Sequence, residues 1–99
     1  MTRTVRFSKV RMMRFISHLD LVRLFQRASR RAGLPVTRTR GFSPRLKISI
    51  ERALKLGFES EDEKVTFSMD HWIRPEEFMS RLNEKLPDGI RITNIIKDR

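Results

Sequence analysis

The stretch SHLDLVRLFQRASRRAG, Ser17 to Gly33, decides the architecture. Within it Leu21, Phe25, Ala28 and Ala32 recur at helical spacing and make one apolar stripe, broadened by Val22 and Leu24. Ser17 stands where an N-cap is needed, with Asp20 three residues on as its capping-box partner. Gly33 closes the segment, and Arg30 and Arg31 fall in the last turns, where cations oppose the helix dipole favourably. The pattern predicts a helix over 18–32 with Arg23, Gln26, Arg27, Arg30 and Arg31 on the side away from the stripe.

On the N-terminal side, Thr4 to Lys9 alternates apolar and polar residues and reads as a first strand, continuing with a bend toward Phe15. On the C-terminal side, Pro35–Thr39 reads as a short strand and Arg40–Arg45 as a Gly/Pro loop. Leu46–Ile50 then reads as a further strand, and Ala53–Gly57 as a bulge or turn. Ser60–Glu63 is expected as an acidic connection into a strand at Val65–Met69. Pro75 opens a second helix at its first position, with Glu76 and Glu77 in the first turn and Phe78, Met79, Leu82 and Leu86 along its apolar side. Pro87–Gly89 turns the chain into a last strand carrying Ile90, Ile92 and Ile95. The resulting order, β-α-β-β-β-α-β over residues 1–99, predicts a single α+β domain. Its expected form is a ferredoxin-like two-layer sandwich with an added central strand.

Composition narrows the function classes. There is no cysteine, which excludes disulfides, thiolate chemistry, cysteine-bound iron–sulfur clusters and most structural zinc sites. The apolar runs are only a few residues long, so no segment reads as a membrane span or secretory signal, and a cytoplasmic location is expected. The net charge of +10 is unevenly placed. Residues 1–55 hold fifteen Arg or Lys against Asp20 and Glu51, a net of +13, whereas residues 56–99 hold seven basic and ten acidic residues, a net of −3. Sixteen of the 22 basic residues are arginine, whose planar fork suits bidentate contact with phosphate.

Two clusters carry the functional expectation. Arg23, Arg27 and Arg30 share one helix face, and Arg31 adjoins it. Like charges at this spacing repel, whereas an ordinary solvated face mixes signs. The segment Arg38–Lys47 places Arg38, Arg40, Arg45 and Lys47 around Gly41, with Phe42 at the tip. An aromatic among arginines offers a stacking surface beside phosphate-neutralising groups, as a single-stranded nucleic acid requires. The alternative for Phe42 is a lid folded back over the core. Ser17, His18 and Asp20 form the nearest approach to a reactive set. The capping role accounts for Ser17 and Asp20, while His18 can serve as a donor to phosphate or as a general base. Catalysis would also need a nucleophile and a charge stabiliser; Arg14 and Arg23 are the candidates for the latter, and the sequence does not bring them together. Asp70, His71 and the Glu61–Glu63 run lack the spacing of a metal site, so no metal and no cofactor is expected.

At Phe15–Leu21, Arg27–Pro35 and Gly41–Pro44 the chain resembles the radical SAM-linked domain, a bacterial family of unknown function. The resemblance continues through Pro44–Ser49, Leu54–Gly57 and Glu59–Glu61. Members are often fused to, or encoded beside, a radical SAM protein with a cobalamin-binding-type domain, and sometimes near a ribonuclease of the E/G type. The resemblance implies an accessory role connected with RNA modification. By matching positions, its signature residues here are Ser17, His18, Asp20, Arg30, Arg31, Gly41, Phe42, Pro44 and Lys47. Arg45 stands where members often carry a histidine-like polar residue, which argues against a metal or acid–base pair. Without cysteines the chain cannot bind the radical SAM cluster, so such chemistry would belong to a partner. A weaker similarity is to the ferredoxin-like RNA endonucleases of CRISPR systems, but their glycine-rich C-terminal loop is missing.

The expected function is therefore a basic, RNA-binding accessory module rather than an enzyme on its own, with RNA or another polyanion as partner. The alternative is a protein-docking or substrate-delivery domain for a radical SAM enzyme. A metal-independent ribonuclease using His18 is a third reading.

Overall fold

The protein is described by a computed structural model over residues 1–51 and 57–99. Four strands and two helices follow the order β1 (Thr2–Lys9), α1 (His18–Arg31), β2 (Ile48–Ile50), β3 (Ser60–Ser68), α2 (Pro75–Lys85) and β4 (Ile90–Asp98). The strands form one sheet in the order β2-β3-β1-β4, with every neighbouring pair antiparallel. Both helices contribute buried side chains to the core against one face of this sheet, so the fold is the expected α+β, ferredoxin-like sandwich.

The period-2 pattern of β1 sends Arg3, Val5, Phe7 and Lys9 to the helix-covered face. Val65 and Phe67 of β3 and Ile90 and Ile92 of β4 join them. At the centre four rings form an edge-to-face chain. Phe7 meets Phe25 at 5.0 Å between centroids, Phe25 meets Phe67 at 6.1 Å, and Phe67 meets Phe78 at 5.1 Å. All four are fully buried. The chain alternates between helix and strand, so each ring fixes the rotation of the element opposite.

Several local expectations are corrected. The first strand stops at Lys9, and Arg11, at φ 55°, turns the chain into a short 3₁₀ helix, Arg11–Phe15. The turn is held where Val10 donates to the Gly89 carbonyl at 2.9 Å. A Cβ on Gly89 would lie 2.7 Å from the Val10 oxygen, so the close approach requires glycine there. The strand expected at Pro35–Thr39 is reduced to two isolated bridges, Val36 with Met69 and Arg38 with Leu46, leaving four strands in the sheet. Ser60–Glu63 is the first part of β3 rather than a connection, because its backbone pairs with β1 from Phe7 to Lys9, and Asp62 meets Arg6 of that strand at 2.6 Å. Ser17 caps α1 as expected, accepting from the Asp20 amide at 3.1 Å, but Asp20 turns its carboxylate to Arg23 instead of returning the bond. The bulge or turn assigned to Ala53–Gly57 lies, except for Gly57, outside the described residues.

Two arginines of the scaffold act as struts. Arg81 of α2 donates to the carbonyls of Ala32 at 2.8 Å and Gly33 at 2.6 Å, satisfying the orphan end of α1. Arg3, wholly buried, donates to both carboxylate oxygens of Asp98 at 2.8 and 2.9 Å and to the Ile73 carbonyl at 2.8 Å. Its guanidinium also lies over the Phe78 ring at 5.2 Å and toward Trp72 at 6.0 Å. Trp72, half exposed beside this strut, thus packs at the sheet margin.

The hydrogen bonds from Arg3 hold the Asp98 carboxyl below the usual carboxylate range against the opposing effect of desolvation, with the guanidinium charge and Trp72 assisting. Replacing Asp98 with alanine would strand a buried guanidinium, and the expected cost is about 3 kcal/mol in urea unfolding at neutral pH. Because the folded-state value is depressed, the carboxylate's contribution is complete above its ordinary range and is lost as pH falls through the lower folded value. The stability gap between the parent and Asp98→Ala, followed by urea unfolding across pH, should therefore be widest above the ordinary carboxylate range and narrow as pH falls below it.

Candidate nucleic-acid interface

The sequence pattern turns Phe25, Leu21 and Ala28 of α1 into the core, and this rotation leaves Arg23, Arg27, Arg30 and Arg31 exposed along the outer face. Gln26, expected among them, is buried instead. Its amide donates to the Leu46 carbonyl at 2.7 Å and accepts from the Leu46 amide at 2.9 Å. One side chain of α1 thereby satisfies both backbone groups of the residue that leads toward β2. The signal for this was present in the row Val22, Gln26, Ser29, which flanks the apolar stripe and carries no charge. An amide side chain counts as polar in a sequence pattern and is expected outward, and only its distant partner at Leu46 turns it in.

The clamp at Leu46 fixes the segment that carries the second basic cluster. Thr39 donates its amide to the Arg45 carbonyl and accepts from the Arg45 amide through its hydroxyl at 2.9 Å. Lys47 donates to the Thr37 carbonyl at 2.6 Å, and its own carbonyl accepts from Ser68 at 3.0 Å. Residues 38–46 are thus pinned at the base, where Arg38 bridges Leu46, and project Arg40, Gly41 and Phe42 outward. Phe42 is fully exposed, so it is not a lid over the core.

Not every expected site residue converges. Arg23, Arg27, Arg30, Arg31 and Arg45 line one groove of about 420 Å³, together with Leu19 and Val22. Lys47 joins Arg45 in an adjoining groove that runs over the β2 edge. Arg38, Arg40 and Phe42 are exposed at the projecting end and line neither groove. A second groove on the opposite flank of the arginine row, about 630 Å³, lies between α1 and the end of α2 and brings in Lys85.

Ion pairing engages part of the basic residues of the scaffold. Arg3, Arg6, Arg11, Arg81 and Lys85 each have a carboxylate within 4.0 Å. Among the described residues, only Arg23 of the two basic clusters does, with Asp20 at 3.4 Å on an exposed surface. Among the described residues, Arg27, Arg30, Arg31, Arg38, Arg40, Arg45 and Lys47 have none, and outside the clusters the exposed Arg74, Arg91, Lys97 and Arg99 have none either.

The reactive and metal readings gain little from the geometry. His18 is exposed in the first turn of α1 and makes no hydrogen bond among the described residues. No group of three or more His, Asp or Glu among the described residues is placed to hold a metal ion. Nor does the open face of the sheet offer a stacking platform. Its central positions are Thr4 and Arg6 on β1 and Lys64 and Thr66 on β3, with the two threonine hydroxyls bonded at 2.9 Å. Four-stranded sheets that bind RNA through this face stack bases on aromatics at such positions. Among the described residues, no helix is long and apolar enough to cross a membrane.

A family model described as an uncharacterized protein conserved in bacteria, DUF2344, matches residues 3–98. No curated protein and no solved structure matches the chain.

The Gln26 clamp yields a direct test. Gln26→Leu would keep the volume near that of the amide but leave the Leu46 N–H and C=O buried and unsatisfied. The expected loss is about 3 kcal/mol in denaturant unfolding, with faster amide hydrogen exchange at Leu46 than the global destabilisation alone produces.

Proposed function

The chain belongs to that bacterial family, and we propose that this domain binds RNA through the outer face of α1 and the segment 38–47. One observation carries the proposal. The cations gathered on these two elements are exposed, lack a carboxylate partner among the described residues apart from Arg23, and in large part converge on adjoining grooves, with Arg23, Arg27, Arg30, Arg31 and Arg45 lining one and Lys47 joining Arg45 in the next. Arginines crowded on one helix face repel one another at a few tenths of a kcal/mol per pair. A polyanion laid along the row removes that repulsion and releases its own counterions, which supplies affinity without base specificity. Phe42, exposed between Arg40 and Arg45, adds a ring on which a base can stack.

The contribution of the domain is binding and positioning. The resemblance to the radical SAM-linked domain extends the proposal: an RNA held here would be presented to a radical SAM partner in the cytoplasm. That partner would have to supply the iron–sulfur cluster, since this chain has no cysteine to ligate one.

Fluorescence anisotropy with labelled RNA at several salt concentrations tests this reading. Replacing Arg27, Arg30 and Arg31 together with alanine should weaken binding roughly tenfold or more and lower the slope of log affinity against log salt by about 2, at about 0.7 per single-strand phosphate contact. Lys64→Ala with Lys97→Ala, on the open sheet face, should change affinity far less. Phe42→Ala should weaken RNA binding while leaving the unfolding midpoint unchanged, because a fully exposed ring contributes nothing to the core. Equal losses from the sheet-face and helix-face variants would overturn the assignment. Weak binding that vanishes near physiological salt would indicate that the basic face docks an acidic protein instead.

A further inference from the structure

We infer that the groove between α1 and the end of α2 receives an unpaired nucleobase, so that the RNA taken by this domain is single-stranded where it is gripped. This rests on the RNA-binding reading and specifies the form of strand that the site selects. The groove holds about 630 Å³, a size suited to enclosing a nucleotide-sized group. Its floor is apolar, formed by Leu24 and Ala28 of α1 and Leu86 at the end of α2. Ala28 presents only a methyl group, which sinks the floor between the two helices. The rim is predominantly cationic: Arg27 and Arg31 stand one helical turn apart, about 6 Å along the axis, with Lys85, paired to Glu84, also on the lining, and the one carboxylate there, Asp20, is paired to Arg23 at 3.4 Å.

The combination of floor and rim discriminates between forms of RNA. Phosphates alone need the rim and can be served by either form. In a duplex the base faces are stacked inside the helix, and a closed A-form surface cannot press one into a cleft between two helices. A single strand can turn an unstacked base toward the surface that holds its phosphates. It can lay successive phosphates on Arg27 and Arg31 while one base covers Leu24, Ala28 and Leu86. Burying that apolar floor then adds an attraction that salt does not screen.

Methyl NMR of the intact protein, titrated with a mixed-sequence RNA of about eight nucleotides and then with the duplex of the same sequence, reads the floor directly. The single strand should bind roughly tenfold tighter and shift the Leu24 and Leu86 methyl signals, and the duplex should leave those signals in place. Leu24→Gln should weaken single-strand binding several-fold and leave duplex binding unchanged. The methyl shifts in the unaltered protein provide the decision even if that variant folds poorly. RNA binding with unmoved floor methyls, or a duplex that binds as tightly as the strand, would overturn the groove assignment while the RNA reading stands. Binding of neither form at low salt would overturn both. Polyglutamate that moves the same methyls as strongly as the RNA strand would also overturn it, pointing to an acidic protein.

Discussion

The edge-to-face chain Phe7–Phe25–Phe67–Phe78 is the constraint on which the rest of the molecule depends. Two of its rings come from the central strands and two from the helices, so the layers are joined by contacts with a preferred geometry and not by area alone. Such pairs contribute about 0.5–1.5 kcal/mol each beyond their burial. In a chain of 99 residues, where the stability margin is small, that directional part matters. Phe25 in particular sets the rotation of α1. Once its ring lies between Phe7 and Phe67, residues 23, 27, 30 and 31 have only the outer surface available.

A second device repeats on both sides of the sheet. Gln26 of α1 closes both backbone groups of Leu46, beside the β2 margin, and Asn83 of α2 does the same for Ile92 on β4, at 2.7 and 3.0 Å. In each case an amide from the overlying helix acts as a substitute for a missing strand. Exposed strand edges invite pairing with other chains, and these amides blunt them at one residue each. On the α1 side the same bonds have a consequence for recognition, because they bring Arg45 beside the arginines of the helix.

Charge is separated in space as it is along the chain. Acidic residues of the second half largely neutralise arginines that brace the scaffold: Asp98 on Arg3, Asp62 on Arg6, Asp88 on Arg11 and Glu77 on Arg81. These four acids are engaged around the sheet and α2, and the outer face of α1, where Asp20 pairs with Arg23, keeps an excess of positive charge. A like-charged helix face is an electrostatic cost to the isolated domain, offset by the aromatic core beneath it.

By itself the sequence determined what local periodicity and end chemistry dictate. It specified α1 with its Ser17 cap, α2 with Pro75 at its start, the alternating strands, the α+β sandwich, and the two basic clusters with Phe42 at a loop tip. These are legible because their causes lie within a few residues. The reduction of Pro35–Thr39 to isolated bridges, the entry of Ser60–Glu63 into β3 and the turn at Arg11 depended on which strand lay opposite, so local pattern alone misplaced them. Tertiary structure alone decided that Gln26 points inward, that Arg81 caps α1, and that Arg45 but not Arg40 joins the helix arginines. It also opened the groove where Leu24 and Ala28 meet Leu86, which is distant along the chain. The physical reason is common to all of these. A polar side chain is placed by the partner that satisfies it when buried, and that partner is supplied by a distant part of the chain.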